Sequence, residues 1–282
     1  MHKLLLALLF IPVLGYAQDI HITGFGGFSN YQGDLQGKPF TTDQGNGALG
    51  LGLKYDLNAK MSIRGTLTYG KLSADDKFNK PELQKRNLSF QSHLMEGALL
   101  FEYTLFDLEE KRISPYVFAG GGLFYFNPTA LDSTGRKIHL QDLHTEGQGL
   151  AQFPDRKPYN KVKISVPFGG GIKFRITDGT VLGFEIGMRK LFTDYLDDVS
   201  TSYVNPIALR MAFGSRSEDM AYRGDELKDG DPVYPAEGTV RGNPKSKDWY
   251  YFSGLTLAIR IGDVNRLLGI GGNRGRIDCP KL

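Results

Sequence analysis

The stretch VKISVPFGGGIKFRI, Val162 to Ile176, carries the clearest pattern in the chain. Val162, Ile164, Val166, Phe168, Ile172, Phe174 and Ile176 fall on one face, with Lys163, Ser165, Gly169, Gly171, Lys173 and Arg175 on the other. Side chains alternate across a β-strand with a period of two, so the pattern predicts a strand with one apolar and one polar side. The run also exceeds the roughly 9–11 residues with which a tilted strand crosses a bilayer.

The same alternation recurs along the chain. Leu49, Leu51, Leu53, Tyr55 and Leu57 oppose Ala48, Gly50, Gly52, Lys54 and Asp56, and Met61, Ile63, Leu67 and Tyr69 oppose Ser62, Arg64, Thr66 and Thr68. Leu182, Phe184, Ile186 and Met188 oppose Gly183, Glu185, Gly187 and Arg189, while Leu255, Leu257, Ile259 and Ile261 oppose Gly254, Thr256, Ala258 and Arg260. Three less regular runs, over 19–31, 88–106 and 114–127, bring the strands to eight. The connections alternate in length: short at 58–60, 107–113 and 177–179, long at 32–46, 71–87, 128–161 and 193–248. This is the pattern of an all-β, eight-stranded antiparallel transmembrane β-barrel of OmpA/OmpX-like size, with short periplasmic turns and long extracellular loops. Both chain ends then lie on the periplasmic side.

Alternation does not say which face points outward, and a lipocalin-like barrel would turn the apolar side in around a ligand. Two features favour the membrane form. The polar face is built from Gly, Ala, Ser and Thr with charges of both signs, which suits a narrow eight-strand interior. Aromatics gather at strand ends, at Tyr55, Tyr69, Phe192, Trp249, Tyr250 and Tyr251, as an interfacial girdle requires.

The N-terminus, MHKLLLALLFIPVLGYAQD, has a basic Lys3, an apolar run from Leu4 to Leu14, and small residues at Gly15 and Ala17. It predicts an exported protein whose signal peptide, 1–17, is cleaved before Gln18. The expected domains are that signal, a barrel over 18–262, and a periplasmic tail over 263–282. The formal net charge of +3, one less without Lys3, is too balanced to point to nucleic acid, and no basic tract carries interleaved aromatics. A single cysteine, Cys279, excludes an intrachain disulfide framework and a cysteine zinc site.

Barrel register turns Lys54, Asp56, Arg64, Glu96, Glu102, Lys173, Arg175, Glu185, Arg189 and Arg260 inward. Such charges form either an ion path or a mutually neutralising plug. An eight-strand barrel has room for side chains but not for an aqueous channel, which favours the plug.

The candidate chemistry is thin. His139 and His144 share a long loop with Ser133, Asp142 and Glu146, the residue types of acyl transfer, but no nucleophile elbow accompanies them. Asp194, Asp197 and Asp198 follow one another closely in RKLFTDYLDDVSTSYV (189–204), yet lack the alternating ligands and central glycine of a calcium loop. Their expected place is the exit from the seventh strand into the longest loop, near the basic groups Arg189, Arg210 and Arg216. The glycine runs AGGGL and FGGGI lie within strands and precede no helix, so they are not phosphate cradles. No enzyme, cofactor or metal is expected.

Several segments in one order do resemble a known family. They are YQGDL (31–35), MEGALLFEY (95–103), SPYVFAGGGLFYFNP (114–128), TEGQGL (145–150) and PFGGGIKF (167–174). RKLFTDYLDDVSTSYV, DWYYFSGLTL (248–257) and Cys279-Pro280 complete the series, with LFTDYLDDVS the most specific part. The chain is similar to the PorG-like outer-membrane barrels of the type IX secretion system. That resemblance implies a non-enzymatic export component, set among outer-membrane lipids and associated with a periplasmic ring made of a lipoprotein and its partner subunit. The surfaces expected to face the ring are the turn Glu109, Glu110, Lys111 and Arg112 and the tail residues Arg266, Arg274 and Arg276. An OmpA- or OmpX-like structural or adhesion barrel is the alternative, and a lipid-modifying barrel enzyme a more remote one.

Overall fold

The computed structural model describes residues 19–263. The expected signal peptide, Arg266, Arg274, Arg276 and Cys279 lie outside the described residues. Eight antiparallel strands close a barrel: β1 (Ile20–Gln32), β2 (Asn46–Asp56), β3 (Met61–Asp75), β4 (Ser89–Thr104), β5 (Ile113–Leu131), β7 (Val162–Thr177), β8 (Thr180–Leu191) and β9 (Trp249–Arg260). A short β6 (Lys137–His139) pairs only with the far end of β5. Three short helices, α1 (Pro81–Gln84), α2 (Pro206–Phe213) and α3 (Ser215–Ala221), belong to the long connections. Among the described residues no helix is long and apolar enough to cross a membrane.

Register fixes the shape. Following pairs around the wall from Ile20 leads to Tyr55, Ile63, Phe101, Ala119, Phe168, Met188, Tyr251 and back to β1 at Asn30. The circuit returns ten residues further along the strand, a shear of ten, so the strands are steeply tilted and the lumen is narrow.

The wall is apolar on the outside. Leu49, Leu51 and Leu53 of β2 are 69, 71 and 57 % exposed, and their counterparts on the other strands are exposed likewise. Leaving so continuous a leucine surface in water would be costly, whereas a bilayer accepts it. The outward-facing half of the alternation is therefore the apolar half.

Towards the long-loop end the arrangement inverts. On β3 the apolar residues sit at odd, outward positions up to Tyr69, then move to the inward Leu72 and Ala74, while Lys71 and Ser73 face out. β4 does the same with Phe90 and Leu94 inside and Gln91 and His93 outside. Tyr31, Phe124, Phe126, Tyr250 and Phe252 join them in a buried core that Leu140, Leu191, Leu196 and Val199 close from above. Here the barrel stands clear of the apolar belt, and water lies outside it.

Three sequence expectations are corrected by this inversion. Residues 71–75 and 128–131 belong to strands, not loops, because the apolar phase changes there without the strand ending. Tyr250 is not a girdle residue: it points inward and is fully buried. Tyr251 keeps the outward parity but is covered by the Phe40 ring, 4.9 Å away. The interior is likewise not uniformly small and polar; its upper half is aromatic and aliphatic.

Lower in the lumen, glycines make room for large rings. A Cβ on Gly169 would stand 2.2 Å from the Ile186 carbonyl oxygen and 2.8 Å from the Phe118 ring. Gly65 faces outward with nothing within 4 Å of that position. Gly169→Val is expected to cost about 1–3 kcal/mol by overpacking, and Gly65→Val little, in urea unfolding of the barrel reconstituted in lipid vesicles. Equal losses at the two sites would contradict the packing described.

Candidate functional site

Two layers of buried charge follow from this architecture, one within the lumen and one above it. In the lower lumen Arg64 bridges two carboxylates, Nε to Glu102 at 2.7 Å and Nη2 to Glu185 at 2.8 Å. Lys173 Nζ reaches the other Glu102 oxygen at 2.7 Å, and the Tyr116 hydroxyl donates to Glu185 at 2.7 Å. One level up, Arg189 pairs with Glu96 at 3.0 Å, and Glu96 also accepts from the Tyr250 and Ser165 hydroxyls. The Arg189 guanidinium rests 4.4 Å from the Phe252 ring. A cavity of about 20 Å³ lined by Arg64, Thr66, Thr68, Glu185 and Arg189 lies between these two levels of the lumen. That volume holds one water, not a passage.

Of the ten inward charges, Lys54, Arg64, Glu96, Glu102, Lys173, Glu185 and Arg189 are buried. Asp56, Arg175 and Arg260 are half-exposed at the short-turn mouth, where Asp56 meets Lys54 at 3.0 Å, Arg175 meets Asp178 at 3.5 Å and Arg260 meets Asp19 at 3.3 Å. Each buried cation thus has a carboxylate in reach, as charges removed from water require. At the same end Glu109, Glu110, Lys111 and Arg112 are exposed on the β4–β5 turn.

The second layer is a cap over the long-loop end, and it is built around LFTDYLDDVS. Leu196 and Val199 drop into the upper core, 0 and 1 % exposed, and draw the neighbouring carboxylates inside with them. Asp194 accepts from the Ser200 hydroxyl at 2.7 Å. Asp197 accepts from the Tyr31 hydroxyl and from Val199 N at 2.9 Å. Asp198, at a φ of 68°, accepts from Thr145 Oγ1 at 2.6 Å and the Tyr159 hydroxyl at 2.7 Å. Asp248 holds Leu196 N at 2.9 Å and shares the Tyr31 hydroxyl at 3.3 Å.

The expected partners of these aspartates are corrected accordingly. Arg189 is engaged by Glu96, Arg210 pairs with Glu218, and Arg216 is exposed. The aspartates instead accept from tyrosines, hydroxyls and backbone N–H groups, with Asp194 Oδ1 left without a partner, because apolar anchoring buries the loop that carries them. Sequence reasoning missed the two arginines at the centre of the cap. Arg241 donates to Glu146 at 3.0 Å and to the Asp198 carbonyl at 2.7 Å. Arg86 grips Asp76 at 2.7 Å and donates to the carbonyls of Asp34 and Arg241. Glu146 closes the network by accepting from Ser200 N and Thr201 N, both at 2.9 Å. No local pattern marks these arginines, but the resembling segments do hold other residues of the cap: YQGDL supplies Tyr31 and Asp34, TEGQGL supplies Thr145 and Glu146, and DWYYF supplies Asp248.

Among the described residues no group of three or more His, Cys, Asp or Glu side chains is arranged to hold a metal ion. His139 meets Asn127 at 3.0 Å, His93 stacks on Tyr69 outside the wall, and His144 lies 4.4 Å from the Phe213 ring. Glu146, fully buried, serves Arg241 rather than a histidine.

The cap does carry more buried carboxylates than cations, and their titration reflects it. Burial pushes Asp194 and Asp198 up to about 6, against the hydrogen bond from Ser200 and the charge of Arg241 respectively. Burial also raises Asp34 to about 6, and lifts Asp197 and Asp248 well above the carboxylate range, with Asp34 and Asp197 respectively adding repulsion. A carboxyl whose folded pKa is raised stabilises the cap fully below its unfolded value near 4, and that contribution is lost as pH rises through about 6. The cap is therefore expected to loosen as pH rises from about 4 through 6, and further above that as Asp197 and Asp248 ionise, measured as faster proteolysis of the loop over 192–248. Asp198→Asn, which keeps the acceptor and drops the charge, flattens that dependence; a cap that tightens with rising pH would refute the assignment. In the lumen, Glu96→Ala is expected to cost about 3–5 kcal/mol by stranding Arg189. The double replacement Glu96→Leu with Arg189→Met recovers most of it in the same unfolding measurement.

No curated protein matches this chain. Among solved structures, Neisserial surface protein A is similar at 8 % identity, with 87 % of this chain and 100 % of that one covered and a TM-score of 0.45. Ail, the attachment invasion locus protein of Yersinia pestis, is similar at 9 % identity, covering 86 and 99 %, with a TM-score of 0.41. A major outer membrane protein from Thermus thermophilus is similar at 13 % identity, covering 87 and 100 %, with a TM-score of 0.41. Likenesses this distant carry no functional information. The family model described as a domain of unknown function (DUF6089) matches residues 2–223, which take in every barrel strand but β9, and the chain belongs to the DUF6089 family.

Proposed function

We propose that this chain is an outer-membrane barrel and a non-enzymatic component of the type IX protein secretion machinery, working through the surfaces at its two ends. The sealed interior carries this reading: ion pairs fill the lower lumen, aromatic rings the upper, and a hydrogen-bonded cap covers both. A barrel filled in this way presents its two ends as the surfaces open to partners. The apolar belt supports a bilayer position, and the N-terminal signal supports export to the outer membrane. The resemblance to PorG-like barrels supports a role beside the periplasmic ring subunits. In this reading Glu109, Glu110, Lys111 and Arg112 face the ring, together with Arg266, Arg274 and Arg276 of the tail.

A structural or adhesion barrel is the second reading. One observation favours it: on α2, among the long-loop segments, Ile207 and Met211 are 68 and 82 % exposed, apolar groups one helical turn apart.

Deleting the gene and measuring the secreted proteome separates the two. The export reading expects cargo to be lost from the medium and ring subunits to be recovered with the barrel by crosslinked pull-down. It also expects both effects to weaken on replacing 109–112 with serines or deleting 264–282. Normal secretion with a defect in surface attachment would replace it with the adhesion reading. In planar bilayers the purified barrel is expected to show no steady conductance.

A further inference from the structure

One ladder of the wall lacks a rung. β5 and β7 pair in a single register from Ile113 opposite Phe174 to Tyr125 opposite Val162, but two pairs within it are missing. The pairs of Gly120 with Pro167 and Gly121 with Val166 are absent, although Ala119 opposite Phe168 below and Gly122 opposite Ser165 above keep the same register, which is what loss of the single bond from Pro167 to the Gly120 carbonyl produces. This is not a bulge, since no residue is inserted. The neighbouring ladders are intact at this height: Gly120 and Gly121 pair with Leu100 and Leu99 of β4, and Val166 and Pro167 with Lys190 and Arg189 of β8. The one register shift elsewhere in the wall, at Arg175/Thr177, falls beside a turn.

The chemistry of the four residues explains the gap. Proline has no N–H to give a ladder and is normally confined to sheet edges or bulges. Two glycines opposite it offer no side chain to hold the strands together from either face. The break also lies where it is hardest to tolerate. Leu99, Leu123 and Ile164 around it are 62, 59 and 60 % exposed and belong to the apolar belt, where no water is at hand for the Gly120 carbonyl that Pro167 cannot serve. Directly behind it stands the Glu96–Arg189 pair, with Ser165 bonded to the same carboxylate.

We propose that this gap is the point at which the barrel wall yields, β5 and β7 separating there ahead of every other strand pair and opening the Glu96–Arg189 layer towards the membrane. The proposal stands apart from the export reading and needs no partner. A lateral opening between strands is a different device from a pore along the axis, and the plugged lumen does not prevent it.

Backbone amide exchange of the full chain in lipid nanodiscs tests this. Exchange over 119–123 and 165–168 is expected to be roughly tenfold faster than over the intact β8–β9 ladder around Gly187 and Phe252. Pro167→Val returns the missing donor and is expected to bring that excess down to the flanking level. A disulfide between Gly121→Cys and Val166→Cys, made with Pro167 kept, is expected to do the same, so the test survives if the valine variant fails to fold. Exchange across the gap no faster than in the intact ladder would overturn the proposal. So would a fast exchange that neither the restored donor nor the crosslink slows.

Discussion

Closing eight strands at a shear of ten leaves an interior only wide enough for side chains. Every inward group must then be satisfied by another inward group, and most of the molecule follows from that. Arg64 needs both Glu102 and Glu185, and Arg189 needs Glu96, because the apolar wall separates them from water. Large rings can enter the lumen only where the opposite strand has none, so Phe118 lies over Gly169 and beside Gly187. The glycines that thin the wall and the charges that fill it answer the same lack of space.

The same closure explains why one strand can serve two solvents. Side-chain parity never changes along β3 or β4, yet the surroundings do, from hydrocarbon around Leu67 and Leu99 to water around Lys71 and Gln91. The apolar half of the alternation changes sides at that boundary. Below it the protein is apolar without and polar within, and above it the reverse, so a soluble-type core stands on a membrane-type stem.

The stem was legible in the sequence and the upper core was not. Where lipid lies on one side and a polar lumen on the other, alternation is strong, as from Val162 to Ile176, and it gives strand and face together. At Gly70 the pattern changes phase, and a reader following the period sees a strand end where it only changes surroundings. In β9, Tyr250 and Phe252 beside Trp249 and Tyr251 form one aromatic run, so an inward anchor is taken for part of a girdle. The cap was legible only in pieces. LFTDYLDDVS advertises its carboxylates, but the arginines that balance them, Arg86 and Arg241, come from distant loops without local pattern. Periodicity reports what a segment faces; it is silent on which segments meet.

That the cap's partners are so far apart in the chain has a bearing on assembly. Tyr31 lies in the first strand and Asp248 next to the last, 217 residues on, and a single phenol joins them to Asp197. Contacts of such separation form late, after the loops between them have been drawn together. β1 and β9 are also the strands whose pairing turns an open sheet into a cylinder. The Tyr31 junction is thus a record of completion: a chain halted before closure lacks it, and leaves the aspartate-rich loop open to any protease at the cell surface.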